Sequence, residues 1–92
     1  MQELTNAELR KLKARAQLLE PMFKVGKAGL SEGFVKSVDE GLGYHELVKI
    51  KFVEFKEEKK TLAPQLAEKT SSHVIMRVGN VVVLYRAKPT AE

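Results

Sequence analysis

Cysteine is absent from this sequence of 92 residues, and so is tryptophan. Without cysteine there can be no disulfide framework, thiolate metal site or cysteine nucleophile. Long apolar runs are also missing, since the longest, at residues 81–85, is far shorter than the ~20 residues that a membrane-spanning helix needs. The first residues lack the basic start and apolar stretch of a signal peptide. We therefore expect a cytoplasmic protein without a membrane segment and without a metal or organic cofactor.

The length and composition predict one globular domain. Hydrophobic residues make up 43% of the chain and charged residues 30%, a mixture that is typical of globular rather than disordered proteins. A chain of this length buries roughly 60–65% of its unfolded surface, which is enough for one core. We predict that the domain occupies residues 1–88 and that residues 89–92 form a short tail.

The net charge is modest but unevenly placed. The chain has 16 Lys and Arg against 12 Asp and Glu, a net charge of +4. Residues 1–30 hold six basic and three acidic side chains, so this third carries a net +3. A localised basic surface suits a polyanion, of which nucleic acid is the commonest. The same charges could instead form a solvated face that only favours solubility.

Helical periodicity and turn residues predict three helices. A capping box at Thr5 and Glu8 starts the first, which should end near Leu18. Ser31 caps a second helix, whose end we expect near Gly43, a residue suited to a left-handed terminus. The third helix covers residues 56–70 and contains Pro64, which predicts either a kink or a regular helix that starts near residue 63.

Alternating and apolar runs predict four strands, at residues 22–25, 46–55, 73–78 and 81–85. The second alternates, which indicates one buried face, and Gly79-Asn80 joins the last two as a hairpin. The first three strands can run parallel through right-handed crossovers, whereas the last is antiparallel. The fold class is therefore α/β: a single compact α-β-α-β-α-β-β domain with a four-stranded mixed sheet.

Catalytic chemistry finds no support in the sequence. His45 and His73 are the two histidines; both are predicted at strand starts, and two histidines alone do not make a metal site. No nucleophile, base and orienting group occur in a recognisable arrangement. We expect structural or solvent-facing histidines and no enzyme, so a small hydrolase is disfavoured.

The segment Gly26-Lys27-Ala28-Gly29 is the first candidate binding element. It lies between a predicted strand and the start of a helix, where free amides and the positive end of the helix dipole favour an anion. Two glycines let the backbone approach a ligand closely, and Lys27 adds a cation. The same G-x-x-G pattern clamps nucleic-acid backbone in KH domains, although glycine pairs also occur in plain turns.

The first helix is the second candidate. Arg10, Lys13 and Gln17 share one face beside the apolar stripe, where they could follow phosphates or pair with unpaired bases. Lys11 and Arg15 lie further round the helix, and we expect them to be merely solvated.

Four other residues near these elements have two interpretations each. Phe23 and Phe34 flank the glycine loop; we expect core packing rather than base stacking, because both fall on apolar patterns. Lys49 and Lys51, on the polar face of a strand, either face solvent or help to line a groove.

Several segments together resemble the chloroplast RNA splicing and ribosome maturation (CRM) domain, in particular the stand-alone bacterial YhbY-like members. They are Leu4-Thr5, Arg10, Leu12-Lys13, Ala16, Pro21 and the runs at residues 25–32, 45–51 and 78–86. The resemblance covers about residues 4–86. Its most specific part is the pairing of the glycine loop with the terminal Gly-x-x-x-x-Leu-Tyr-Arg strand.

The resemblance implies a sheet similar to that of the C-terminal domain of translation initiation factor three, and RNA binding without catalysis. It also implies a role with precursors of the large ribosomal subunit. The partner would be their ribosomal RNA, and we expect this protein to be a monomer. The functional residues it carries over are the loop Gly26, Lys27, Ala28 and Gly29, with Arg10 and Lys13. Many members have histidine where Gln17 stands, and asparagine or glycine where Ala28 stands. The alternative is a protein-interaction module that docks on ribosomal proteins through the hydrophobic hairpin edge.

Overall fold

The computed structural model describes residues 4–87, so the predicted tail at 89–92 lies outside the described residues. The helices and strands in chain order are α1 (Asn6–Gln17), β1 (Phe23–Val25), α2 (Glu32–His45), β2 (Leu47–Phe52), α3 (Lys59–Lys69), β3 (His73–Val78) and β4 (Val81–Tyr85). The predicted α-β-α-β-α-β-β order is confirmed. Within the described range, every helix is too short or too polar to cross a membrane.

The four strands form one mixed sheet in the order β1-β2-β4-β3. Strand β1 pairs parallel with β2, while β4 pairs antiparallel with both β2 and β3. The first three strands therefore share a direction, as predicted, but β4 lies between β2 and β3. The Gly79-Asn80 hairpin is confirmed, and Gly79 supplies its positive φ of 56°.

Helices cover both faces of the sheet. On one face, α2 and α3 pack against β2 through residues such as Leu42, Leu66 and Ile50. On the other face, α1 packs through Leu12 and Ala16. The prediction of a single buried face for β2 was wrong, because adjacent residues of this central strand enter opposite clusters. The strand also ends at Phe52 rather than at residue 55.

The predicted end of α2 was also wrong. The helix continues through Gly43 to His45, and Glu46 takes the positive φ of 63°. His45 therefore ends a helix and does not begin a strand, whereas His73 does begin β3. Gly41 serves close packing rather than termination, because a Cβ there would lie 2.8 Å from Cζ of Phe23.

Helix α3 contains its proline in the interior. The helix runs from Lys59 to Lys69 with Pro64 inside it. The predicted alternative, a regular helix starting near residue 63, was therefore wrong. The buried side chains of this helix are Ala63, Leu66 and Ala67.

Lys49 closes the C-terminal end of α1. Its Nζ donates to the carbonyl oxygens of Ala16, at 3.2 Å, and Leu19, at 3.0 Å. These carbonyls belong to the last turn of the helix and the residues after it, where a cation also meets the negative end of the helix dipole. Lys49 is thus a structural residue that caps the end of α1.

Replacing this lysine should destabilise the fold. We expect Lys49→Met to lower the free energy of unfolding by about 1–3 kcal/mol, the range for losing hydrogen bonds from a charged donor. Urea denaturation followed by circular dichroism measures the change. Lys51→Met is the matched control, since Lys51 is an exposed residue of the same strand and should change stability by less than about 0.5 kcal/mol. Equal losses in both variants would contradict the capping role.

Candidate nucleic-acid interface

Helix α1 presents the predicted basic face to solvent. Its buried side chains, Leu12 and Ala16, fix the orientation of the helix on the sheet. Arg10, Lys13 and Gln17 are exposed, and the first two line a shallow groove. Within the described part of the chain, none of the three has a hydrogen-bond or ion-pair partner, so the face is free to bind an anion.

The acidic residue of α1 is held by the predicted capping box. The Thr5 N–H donates to Oε1 of Glu8 at 3.1 Å, and the Glu8 N–H donates to the Thr5 hydroxyl at 3.1 Å. The bond from the Thr5 backbone is the largest cause of a lowered pKa for Glu8. The carboxylate is therefore engaged at the first turn of the helix.

The glycine loop is a tight turn after β1. The Gly29 N–H donates to the Gly26 carbonyl oxygen at 3.0 Å, so this amide is not available for a ligand. Gly29 has a φ of 63°, and a Cβ there would lie 3.4 Å from Cε2 of Phe55. Lys27 and Ala28 are exposed, and across residues 4–87 their backbone amides have no intramolecular acceptor. These two amides and the Lys27 ammonium are available to bind an anion.

The loop leads directly into the N-terminus of α2. Ser31 caps this helix as predicted, since its Oγ accepts from the Phe34 N–H at 3.2 Å. Glu32 lines a groove between α2 and α3 together with Lys36 and Lys69. The Glu32 carboxylate therefore shares this groove with two lysines.

The segment after β2 braces the glycine loop. The N–H groups of Val53 and Glu54 both donate to the Val25 carbonyl oxygen at 3.0 Å. The Phe55 ring approaches Gly29, as the 3.4 Å separation above indicates. These contacts hold the loop against the segment after β2, which keeps its exposed tip in a defined position.

Two further lysines lie on the sheet between these elements. Lys24 of β1 is directly opposite Lys51 of β2, and both are exposed. Their strand neighbours Phe23 and Ile50 face the α2 and α3 core, so by alternation the lysines lie on the sheet face that carries α1. Like charges directly opposite each other are unfavourable, and an anion between them would relieve the repulsion. Sequence reasoning missed this pair, because it depends on strand register.

The predicted site residues fall into two groups. Gly26, Lys27, Ala28 and Gly29 are contiguous in the turn, and Arg10, Lys13 and Gln17 are on α1. Among the described residues, no hydrogen bond or ion pair joins the two groups. Lys24 and Lys51 occupy the sheet between them and would extend one basic surface from helix to loop.

The two phenylalanines near the loop belong to the core. The rings of Phe23 and Phe34 meet edge to face, with centroids 6.4 Å apart, and both pack against the α2 and α3 cluster. The prediction of core packing is confirmed.

Arg86, in the terminal motif, joins three elements rather than facing a ligand. Its guanidinium donates to the Asp39 carboxylate and to the carbonyl oxygens of Asp39, at 2.8 Å, and Thr70, at 2.7 Å. Its N–H donates to the Glu46 carbonyl oxygen at 2.9 Å. The residue therefore ties the end of β4 to α2 and to the end of α3.

Comparison with known proteins finds relatives over nearly the whole chain. The family profile described as the CRS1 / YhbY (CRM) domain matches residues 4–86. A Bacillus subtilis protein named "Probable RNA-binding protein YqeI" is 33% identical over 84 residues, which cover 90% of this chain and 88% of the relative. A Haemophilus influenzae protein named "RNA-binding protein" is 29% identical, with 100% of this chain and 94% of the relative covered.

A solved structure agrees with the sequence relatives. The solution structure of the Staphylococcus aureus protein SAV1595, provisionally assigned to RNA binding, matches with a TM-score of 0.79 and 33% sequence identity. The match covers 98% of this chain and 95% of that one. The predicted fold class is confirmed. Because the family and these relatives are described as RNA-binding proteins, the prediction that the chain is not an enzyme is also confirmed.

Proposed function

The chain belongs to the CRS1 / YhbY (CRM) domain family, and on that basis we propose that it is an RNA-binding factor in the assembly of the large ribosomal subunit. Its partner is the ribosomal RNA of the subunit precursor. The glycine loop and α1 hold the phosphate backbone, and the protein acts as a cytoplasmic monomer without a cofactor. The relatives' names support RNA as the partner. The ribosomal target and the contact residues are what we propose in addition.

The main support for the proposal is a series of cations, without hydrogen-bond or ion-pair partners among residues 4–87, that runs from α1 over the sheet to the glycine loop. Arg10 and Lys13 lie on the helix, Lys24 and Lys51 on the sheet, and Lys27 in the loop. Phosphate contacts supply most of the affinity of such surfaces. Two free amides in the turn add donors whose positions are fixed by the backbone.

The second candidate function is protein binding through the hairpin edge. Strand β3 is the outer strand of the sheet, and Val74 and Val78 on it are 36% and 64% exposed. An exposed edge can pair with another chain. The patch is small, however, and it lies apart from the basic surface, so RNA binding is the better supported function.

Crosslinking in living cells tests the proposed target. The tagged protein is irradiated in cells, purified under denaturing conditions, and its attached RNA is sequenced. We expect enrichment of precursor large-subunit ribosomal RNA, and loss of that enrichment in the double variant Arg10→Ala, Lys13→Ala. Enrichment of messenger or transfer RNA instead, or recovery of ribosomal proteins without RNA, would contradict the proposal.

A further inference from the structure

A second groove on the sheet face that carries α1 lies at the C-terminal end of this helix. It is lined by Arg15, Leu18, Leu19, Met22, His45 and Leu47. Leu18 is 87% exposed and Met22 is 39% exposed. The groove therefore combines an open apolar floor with an arginine at its wall, and no described residue covers it.

An exposed aromatic pair stands at the edge of this groove, with His45 in its lining. Tyr44 is 76% exposed, and its ring lies next to that of His45, with centroids 6.5 Å apart and planes at 57°. The pair occupies the last turn of α2, which continues past Gly43 to His45. A tyrosine exposed to this degree contributes little to the core, so its ring is available to a ligand.

We propose that this groove binds an unpaired nucleobase of the RNA, stacked on Tyr44 and His45, with Arg15 on an adjacent phosphate. The inference rests on the proposed function and extends it to a site that contacts bases as well as backbone. Proteins recognise single-stranded RNA by stacking splayed bases on aromatic rings and arginine planes. The ring pair, the arginine and the apolar floor supply these groups together.

Continuity and charge favour RNA over a protein partner as the occupant. Arg15 belongs to α1, the helix that carries Arg10 and Lys13, and Lys11 lies one turn before it on the same flank. These two cations lie on the opposite flank of α1 from Arg10 and Lys13, so a nucleotide chain that crosses the helix would meet the groove. In this proposal Arg15 contacts a phosphate, whereas the sequence alone favoured a solvated side chain.

Fluorine NMR can observe the tyrosine directly. The chain has two tyrosines and no tryptophan, so labelling with 3-fluorotyrosine gives two resonances, and the spectrum of Tyr44→Phe assigns them. Tyr85 is half-buried, packs against the α1 cluster and lies opposite Leu47 of the groove on the neighbouring strand, so it reports on the groove floor rather than on the stacked ring. We expect a short oligoadenylate to shift the Tyr44 resonance more than that of Tyr85. The same oligomer with abasic sites should bind through its phosphates without shifting Tyr44.

A variant separates this inference from the proposed function. Tyr44→Ala should lower the affinity for oligoadenylate by about fivefold or more, the range for losing one stacked base, and should not change the affinity for the abasic oligomer. Val74→Ala, which removes exposed apolar surface on the edge strand, is the matched control and should bind as the unmodified protein does. Normal oligoadenylate binding by Tyr44→Ala, while Arg10→Ala with Lys13→Ala binds weakly, would overturn the nucleobase site and leave the proposed function intact. If the unmodified protein binds neither oligomer nor ribosomal RNA, both fail.

Discussion

Reversing two charges on α1, with Arg10→Glu and Lys13→Glu, is expected to lower the affinity for ribosomal RNA by about 100-fold or more. Each reversal replaces an attraction to phosphate of about 1 kcal/mol in water with a repulsion of similar size. Both side chains are exposed, so the fold should be preserved. A filter-binding titration against large-subunit ribosomal RNA fragments measures the loss.

The control for this prediction changes the same charge elsewhere. Lys36 and Lys69 are exposed and line the groove between α2 and α3, on the opposite side of the sheet from α1. Lys36→Glu with Lys69→Glu should cost much less affinity. If both double variants lose affinity equally while melting like the unmodified protein, only the net charge matters and the α1 face is not the site.

The second large effect is expected from a negative charge at the tip of the glycine loop. Ala28→Asp should lower RNA affinity by about tenfold or more, because a carboxylate beside the free amides and Lys27 repels phosphate. Ala28 already has a Cβ, is exposed and has a negative φ, so the change introduces no backbone strain. Ala28→Asn has nearly the same size without the charge, and should retain most of the affinity. Similar losses in both would show that the loop acts by shape rather than by binding an anion.

Gly29 is a poor position for that test. Its φ of 63° disfavours any side chain, and atoms beyond a Cβ would meet the Phe55 ring, which lies 3.4 Å from the Cβ position. A substitution there would disturb the loop and its brace together. Reduced binding by Gly29→Asp could therefore not be assigned to charge, whereas Ala28→Asp separates the two causes.

The parts of the fold that depend on neighbouring residues were predictable from the sequence. The capping box at Thr5 and Glu8 and the cap at Ser31 are short-range hydrogen bonds with clear residue preferences, and both are present. The Gly79-Asn80 hairpin is another such case. In each, the deciding contacts lie within a few residues along the chain.

The wrong predictions depend on contacts between distant segments. Gly43 was expected to end α2 because glycine disfavours helix, but burial of Leu42 and the close approach of Phe23 to Gly41 carry the helix further. Lys49 was expected either to face solvent or to help line a groove, whereas its acceptors, in and just after α1, are 30 and 33 positions away in sequence.

The candidate site also contains features set by local sequence and features set by contacts between distant segments. The glycine loop and the basic face of α1 could be identified from local patterns. The pairing of Lys24 with Lys51 required the register of β1 against β2, and the groove beside Tyr44 required the packing of two helix ends. Sequence alone could not supply either relation, because a shift of one residue in register would move a lysine to the other face.

The salt dependence of RNA affinity measures whether α1 contacts the phosphate backbone. Each phosphate contact on single-stranded RNA contributes about −0.7 to the slope of the logarithm of the association constant against the logarithm of salt concentration. We expect Arg10→Ala with Lys13→Ala to make this slope shallower by about 1.4, the loss of two contacts. The unmodified protein and the Lys36→Ala with Lys69→Ala variant should share one steeper slope. An identical slope for all three proteins would contradict the claim that α1 binds the phosphate backbone.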